Sequence, residues 1–243
     1  MYPKGTLYVH TMEKIRGEKE LHAPLLIKIL YKVIQLVSAG ITAGIILFFG
    51  MYFYPILHAE IAYHLGTSNS IEYFDENVAV LASSTANVQS IAEGYGVDAS
   101  FSIVVPKIDA TSKIIANVDV ASEESYMDAL NHGVAHAAGS YFPGQGKSIF
   151  LFSHSTNSPL NVSRLNAVFY LLRKLETHDQ ILIFFADKLY EYEVESKLVV
   201  KSSDVSWLTA DFGSEKLLLQ TCDPPGTSIN RMIIVAKLSR VIN

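Results

Sequence analysis

The chain of 243 residues has one cysteine, Cys222, and one tryptophan, Trp207. A lone cysteine excludes an internal disulfide and any paired-cysteine metal knuckle. Charge is also scarce: Asp, Glu, Lys and Arg make up 18% of the sequence, with 19 basic residues against 24 acidic ones. The resulting net charge of −5 argues against the basic footprint of a nucleic-acid binder. There is no internal repeat, and no cluster of carboxylates of the kind that holds calcium. Eight histidines are scattered, so their number alone leaves a His/carboxylate metal site open. What the chain has in quantity is apolar surface, at 49% of residues, which excludes disorder and leans towards membrane association.

The few charges are unevenly placed. Lys4, Lys14, Arg16, Lys19, Lys28 and Lys32 outnumber Glu13, Glu18 and Glu20 in the first part of the chain, whereas the remainder is acidic. Between Val33 and Ala59 there is no Asp, Glu, Lys or Arg. The run Val33–Tyr54 meets the roughly 20 residues that a bilayer core demands. Tyr52 and Tyr54 fall where an interfacial aromatic belt would, and Pro55 follows. A secretory leader would have a shorter apolar region and a small-x-small cleavage site, and a core helix would show a polar face. A transmembrane helix over 33–54 is the better expectation. The positive-inside rule then places 1–32 in the cytoplasm and everything after Tyr54 outside, in a single-pass arrangement. Gly40 and Gly44 form a GxxxG, a weak helix-pairing signal.

Beyond the helix the pattern is mainly β. Runs rich in β-branched and aromatic residues recur at 102–108, 113–120, 148–153, 180–185, 189–200, 216–221 and 231–238. Ala186-Asp187-Lys188 reads as a hairpin turn. Ser122–Asn131 reads as a capped helix with Glu123 and Glu124 in its first turn. Leu165, Val168, Phe169, Leu172 and Leu175 recur at helical spacing. Many short strands and few helices predict a closed or nearly closed barrel over 101–243. The polar, Ser/Asn/Ala-rich stretch 55–100 reads as a stalk or lead-in. His132 and His136 have the i, i+4 spacing of a zinc pair on a helix, but Gly133 between them and the absence of a carboxylate partner favour structural roles.

An ordered series of motifs carries a family resemblance over roughly 101–240. EKLLLQTCDPPGTSINRMIIVAKL (Glu215–Leu238) resembles the end of a sortase, in which one strand delivers a catalytic cysteine and the next begins with an arginine. SIFLFSHS (Ser148–Ser155) resembles the strand that ends at that family's catalytic histidine. The Pro-Lys-Ile at Pro106–Ile108, the Gly-x-x-His at Gly133–His136, the following Pro-Gly and the hairpin of 174–200 are also similar. The pattern departs at Leu218, where the family usually has threonine four residues before its cysteine, and in a longer stretch after His154.

The resemblance implies a membrane-anchored cysteine transpeptidase with a sortase-like closed β-barrel and no cofactor or metal. By implication, Cys222, His154 and Arg231 are catalytic, and Thr221, Ser155 and Pro224 contact substrate. The implied substrates are secreted proteins bearing a C-terminal sorting signal similar to LPxTG. The acceptor would be an amine, from a cell-wall precursor or a pilin lysine. The chemistry is physically coherent, because a thiol of ordinary pKa near 8.5 is a weak nucleophile until a base takes its proton. His154 and Cys222 lie far apart in sequence and meet only if two strand ends converge, while a tight turn at Asp223–Gly226 would bring Arg231 back beside the thiol. A guanidinium there stabilises developing negative charge without acting as a base. Papain-like proteases place cysteine before histidine, the reverse of the order here. L,D-transpeptidases cluster their Cys, His and Arg within a few residues, and Cys222 has no such cluster. Two alternatives stay open: a processing cysteine protease that hydrolyses its thioester, and an inactive membrane-tethered assembly module.

Overall fold

A computed structural model describes residues 25–65, 88–155 and 168–243. The first helix, α1 (Leu25–His64), is followed by α2 (Val88–Gly94), β1 (Phe101–Val105), β2 (Ala110–Val118), α3 (Glu123–His132), β3 (Val134–Ala137), β4 (Ser148–Phe152), β5 (Gln180–Phe185), β6 (Lys188–Lys201), β7 (Lys216–Asp223) and β8 (Asn230–Ile242). The described residues fall into two compact units divided between Phe49 and Gly50. α1 crosses this division.

Within α1, Leu25–Tyr54 is long and apolar enough to cross a membrane. The helix starts earlier than the uncharged run because Lys28 and Lys32 are good helix formers. The basic segment 1–32 lies mostly outside the described residues, as does 66–87 of the expected lead-in. Residues 88–100 of that lead-in do not hang free. Val88, Ile91 and Ala92 of α2 pack with Ala99, Val104, Leu182, Phe184 and Leu189 against the outside of the barrel.

The eight strands close into a barrel in the order β1-β2-β3-β4-β7-β8-β6-β5. Most neighbours are antiparallel, but β2 with β3 and β4 with β7 run parallel. The period-2 alternation of each strand sends Ile103, Ile149, Leu151, Leu217, Leu219, Ile234 and Ala236 into a continuous interior. The hairpin turn at Ala186-Asp187 is real: both residues have positive φ (49° and 59°), the conformation a tight two-residue β-turn requires. Ser122 caps α3 by accepting from the Ser125 N–H at 3.3 Å.

Two expectations differ. The stripe Leu165–Leu175 does not continue as an α-helix through its described part. Val168–Leu171 is a turn and Leu172–Lys174 a short 3-10 helix, because Phe169, Leu172 and Leu175 all turn into the barrel interior. His132 and His136 do not share a helix either. His132 ends α3 and is exposed, while His136 sits on β3, fully buried. His136 Nδ1 accepts from the Asn117 N–H (3.2 Å), so Nε2 carries the proton and donates to the Tyr141 carbonyl at 3.0 Å. Phe142 stacks on the ring, 4.4 Å between centroids.

One buried carboxylate fixes the approach to β4. Glu215 accepts from the Tyr192 hydroxyl (2.7 Å), the Gly144 N–H (3.1 and 3.2 Å to its two oxygens) and the Gly146 N–H (2.8 Å). Gly144 has φ +84°, and a Cβ there would lie 2.8 Å from the Tyr190 hydroxyl oxygen, so only glycine fits. Burial, and the Glu215 carboxylate it bonds, raise the Tyr192 phenol far above its ordinary range, so it remains a donor.

Two outcomes follow. Glu215→Ala leaves two loop amides and a buried phenol without their acceptor and lowers stability by about 2–4 kcal/mol, measurable as a fall in thermal midpoint. Burial also lowers the His136 pKa below its ordinary 6.5. The unfolded chain therefore takes up this proton before the folded one does, and stability contributed by neutral His136 declines as pH falls below about 6.5. Thermal melts between pH 7.5 and 5 should show that decline, with a shallower slope in His136→Gln.

Candidate active site

The site is built by strand register. β4 and β7 run parallel with Phe152 opposite Gln220, and the ladder continues as the Ser153 N–H donates to the Gln220 carbonyl at 3.1 Å. The chain then leaves the ladder, so His154 follows the end of β4 two residues beyond Phe152. On the other side of β7, antiparallel β8 places Arg231 directly opposite Cys222, and β6 places Val200 opposite Arg231. Cys222 and Arg231 therefore occupy one level at one end of the barrel, beside the strand end that leads to His154. Directly opposed residues share a face, so the Cys222 and Arg231 side chains both belong to the outer face.

Below them on that face lie Phe152, Gln220, Ile233 and Leu198, one step further from the barrel end. Phe150, Leu218, Ile233, Val235 and Ala137 form a buried apolar patch beneath, and Trp207 and Leu208 of the β6–β7 connection pack on it. Cys222 and Arg231 thus sit beyond the end of an apolar patch on the outer face. Leu218, the departure from the usual threonine, is part of this patch. Gln220 is the residue that the motifs did not single out. Its alternation with Cys222 along β7 was the available signal.

His154 is half-buried and its Nε2 is enclosed with no hydrogen-bond partner among the described residues. Burial lowers its pKa below 6.5, which favours the neutral imidazole at neutral pH. Cys222 is a free, half-buried thiol. Arg231 Nη1 donates to the Ser228 carbonyl (3.3 Å) and to that of Asn230 (3.2 Å), which holds the guanidinium against the β7–β8 turn. That turn is closed by Thr227, whose N–H and hydroxyl both donate to the Pro224 carbonyl (3.1 and 2.8 Å). Pro224 is exposed on its surface.

Thr221 and Ser155 occupy different positions from the other three. Thr221 alternates with Cys222 and faces inward; it is 4% exposed, and its hydroxyl donates to the Ser153 carbonyl at 2.9 Å. Ser155 is 2% exposed, and its hydroxyl has no hydrogen-bond partner among the described residues. Both side chains are buried. Thr221 instead pins the end of β4 to the end of β7, the two strand ends that carry His154 and Cys222.

A closed eight-stranded barrel with a cysteine, a histidine and an arginine at one rim defines a class, and comparison with known proteins identifies it. The sortase domain model matches residues 103–239. Sortase D of Bacillus subtilis (strain 168) is 28% identical over 175 residues, spanning 71% of this chain and 74% of its own length. Among solved structures, a lid mutant of sortase A from Corynebacterium diphtheriae is 29% identical, with a TM-score of 0.48 over 58% of this chain and 70% of that one. A pilus-related sortase C of Group B Streptococcus is 24% identical, with a TM-score of 0.49 over 58% of this chain and 67% of that one. The chain belongs to the sortase family, whose members are membrane-associated cysteine transpeptidases acting on protein substrates.

The pin between the two strand ends is testable. Thr221→Val keeps the shape but removes the hydroxyl from a buried carbonyl, and should cost about 1 kcal/mol in denaturant unfolding while leaving the barrel intact.

Proposed function

We propose that this protein cleaves a C-terminal sorting signal similar to LPxTG through a thioacyl-enzyme and transfers the acyl fragment to an amine on the cell envelope or a pilin. The observation that supports this reading is the register that sets Arg231 opposite Cys222 and ends β4, two residues before His154, beside β7. The neutral imidazole of His154 accepts the Cys222 proton, and Sγ attacks the carbonyl carbon of the scissile peptide bond. Arg231 faces the same point and stabilises the negative oxygen of the tetrahedral species. The C–N bond then breaks, the amine leaves with the proton held by His154, and a thioester remains. An acceptor amine attacks the thioester, Cys222 departs as thiolate, and the proton released by the amine returns through His154.

In this reading Thr221 and Ser155 support the site from behind, and Pro224 and Gln220 border the substrate. The basic segment before α1 and the uncharged run within it support an orientation with the N-terminus in the cytoplasm and residues 101–243 outside, preceded by the lead-in of 55–100.

The test is cleavage of a peptide library of LPxTG type with and without an added amine, read by mass spectrometry. Cys222→Ala should abolish cleavage, and His154→Ala and Arg231→Ala should each lower kcat/KM by roughly 10²–10⁴-fold. Products heavier by the amine identify transfer, and products heavier by water alone identify the processing protease. Full cleavage by Cys222→Ala would sink the assignment. Because burial lowers the His154 pKa, its activity limb should lie on the acid side of 6.5.

A further inference from the structure

A cluster of charged and aromatic side chains lies outside the chemistry above. Glu60, near the end of α1, belongs to the same compact unit as the barrel. It is the first charged residue after the uncharged run. Its carboxylate pairs with Arg173 and, at 3.1 Å, with Lys174 Nζ. All three side chains are only 25–29% exposed. Lys174 Nζ lies 5.0 Å from the centroid of the Tyr63 ring, and the Arg173 guanidinium 4.6 Å from that of Tyr170. Tyr63 itself packs against the barrel core beside Val168 and Tyr170. From the opposite side, Lys197 of β6 donates to the carbonyls of Arg173 (2.6 Å) and Leu175 (2.8 Å). The end of α1, the Val168–Leu175 segment and β6 are thus tied together.

The tie lies close to the working parts. Val168–Leu175 is the described part of the connection by which the chain returns from His154 to β5. Lys197 stands three residues before Val200, which pairs with Arg231. Glu60 therefore holds the end of α1 to the return path from the histidine, and Lys197 joins that path to the strand that flanks the arginine. Neither Glu60 nor Tyr63 falls within the 103–239 span matched by the family model.

We propose that Glu60 and Tyr63 are positioning residues for the Cys222 site: the end of α1 clasps Val168–Leu175, the segment that Lys197 joins to β6, and so keeps the chain ends bearing His154 and Arg231 in reacting register. The catalytic unit then includes the end of the helix that precedes it. This rests on the assignment of Cys222 as the nucleophile activated by His154.

The experiment uses the full chain in detergent micelles at low ionic strength, where paired charges are least screened. Glu60→Arg sets three cations together, and the triple exchange Glu60→Arg/Arg173→Glu/Lys174→Glu restores opposite charges in reversed polarity. Two quantities are read: the rate of Cys222 alkylation by iodoacetamide across pH 5–9, and kcat and KM for the peptide cleaved by the parent. Glu60→Arg should slow alkylation at neutral pH and lower kcat by about tenfold, on the scale of small misplacements of reacting groups, with KM changed less. Its alkylation profile should move towards that of His154→Ala, and the triple exchange should regain most of the loss. Tyr63→Ala should act in the same direction. Glu60→Gln, which adds no repulsion, gives the same comparison if Glu60→Arg fails to fold. A parent-like rate and pH profile in both Glu60 variants, or a triple exchange no better than Glu60→Arg, overturns the latch. Alkylation insensitive to His154→Ala would instead overturn the reading of the site, so the two failures are distinguishable.

Discussion

The functional rim depends on one constraint, the pairing of β7 with a parallel neighbour on one side and an antiparallel neighbour on the other. Because side chains alternate with a strict period of two, the pair Cys222–Arg231 commits those two side chains to one face, and the pair Phe152–Gln220 brings the strand end that leads to His154 beside them. A slip of one residue between β7 and β8 would turn Cys222 or Arg231 into the barrel. The apolar interior opposes such a slip, since it would expose the Leu217/Leu219 or Ile234/Ala236 set to the outer face. Core packing and site geometry are therefore held by the same register.

The polar interactions reinforce that register at its weak points. Strand ends fray because few backbone bonds hold them, and both His154 and Cys222 lie at strand ends. Thr221 ties the two ends together from inside. Glu215 does the same at the other end of the β4–β7 pair, anchoring the Gly144–Gly146 loop that leads into β4. β6 and β8 are secured where Arg240 makes a two-point contact with buried Glu191, at 2.9 and 2.6 Å. The outer face beside Cys222 is left mostly apolar, with Phe150, Leu218, Ile233 and Val235 under Trp207 and Leu208.

Much of this was legible in the sequence. Strands with a β-branched and aromatic run, such as 180–185 and 189–200, were readable almost to their ends, because burial on both faces at 181–184 and 189–192 selects such residues at consecutive positions. β3 was not, since Val-Ala-His-Ala is short, has one β-branched residue, and is buried on all four positions. The stretch after His154 misled because apolar residues at helical spacing also suit a chain that folds back into a barrel end by turns. Motif order singled out the proposed site residues, and of these Thr221 and Ser155, assigned to the substrate, have buried side chains. Sequence spacing places neighbours of a cysteine near it, while only the pleat decides whether they face the same way.

The amino-acid order by itself determined the apolar helix, the alternation of the strands and which residue types could carry thiol chemistry, because these are properties of neighbouring residues and of hydrophobic burial. The tertiary structure alone decided that the end of β4, which leads to His154, runs parallel beside the strand that carries Cys222. It alone decided that Gln220 shares the face of Cys222, and that Glu60 reaches Arg173 and Lys174 across more than a hundred residues. Such juxtapositions arise from barrel closure, a long-range arrangement selected by the packing of the whole interior and written in no local stretch of chain.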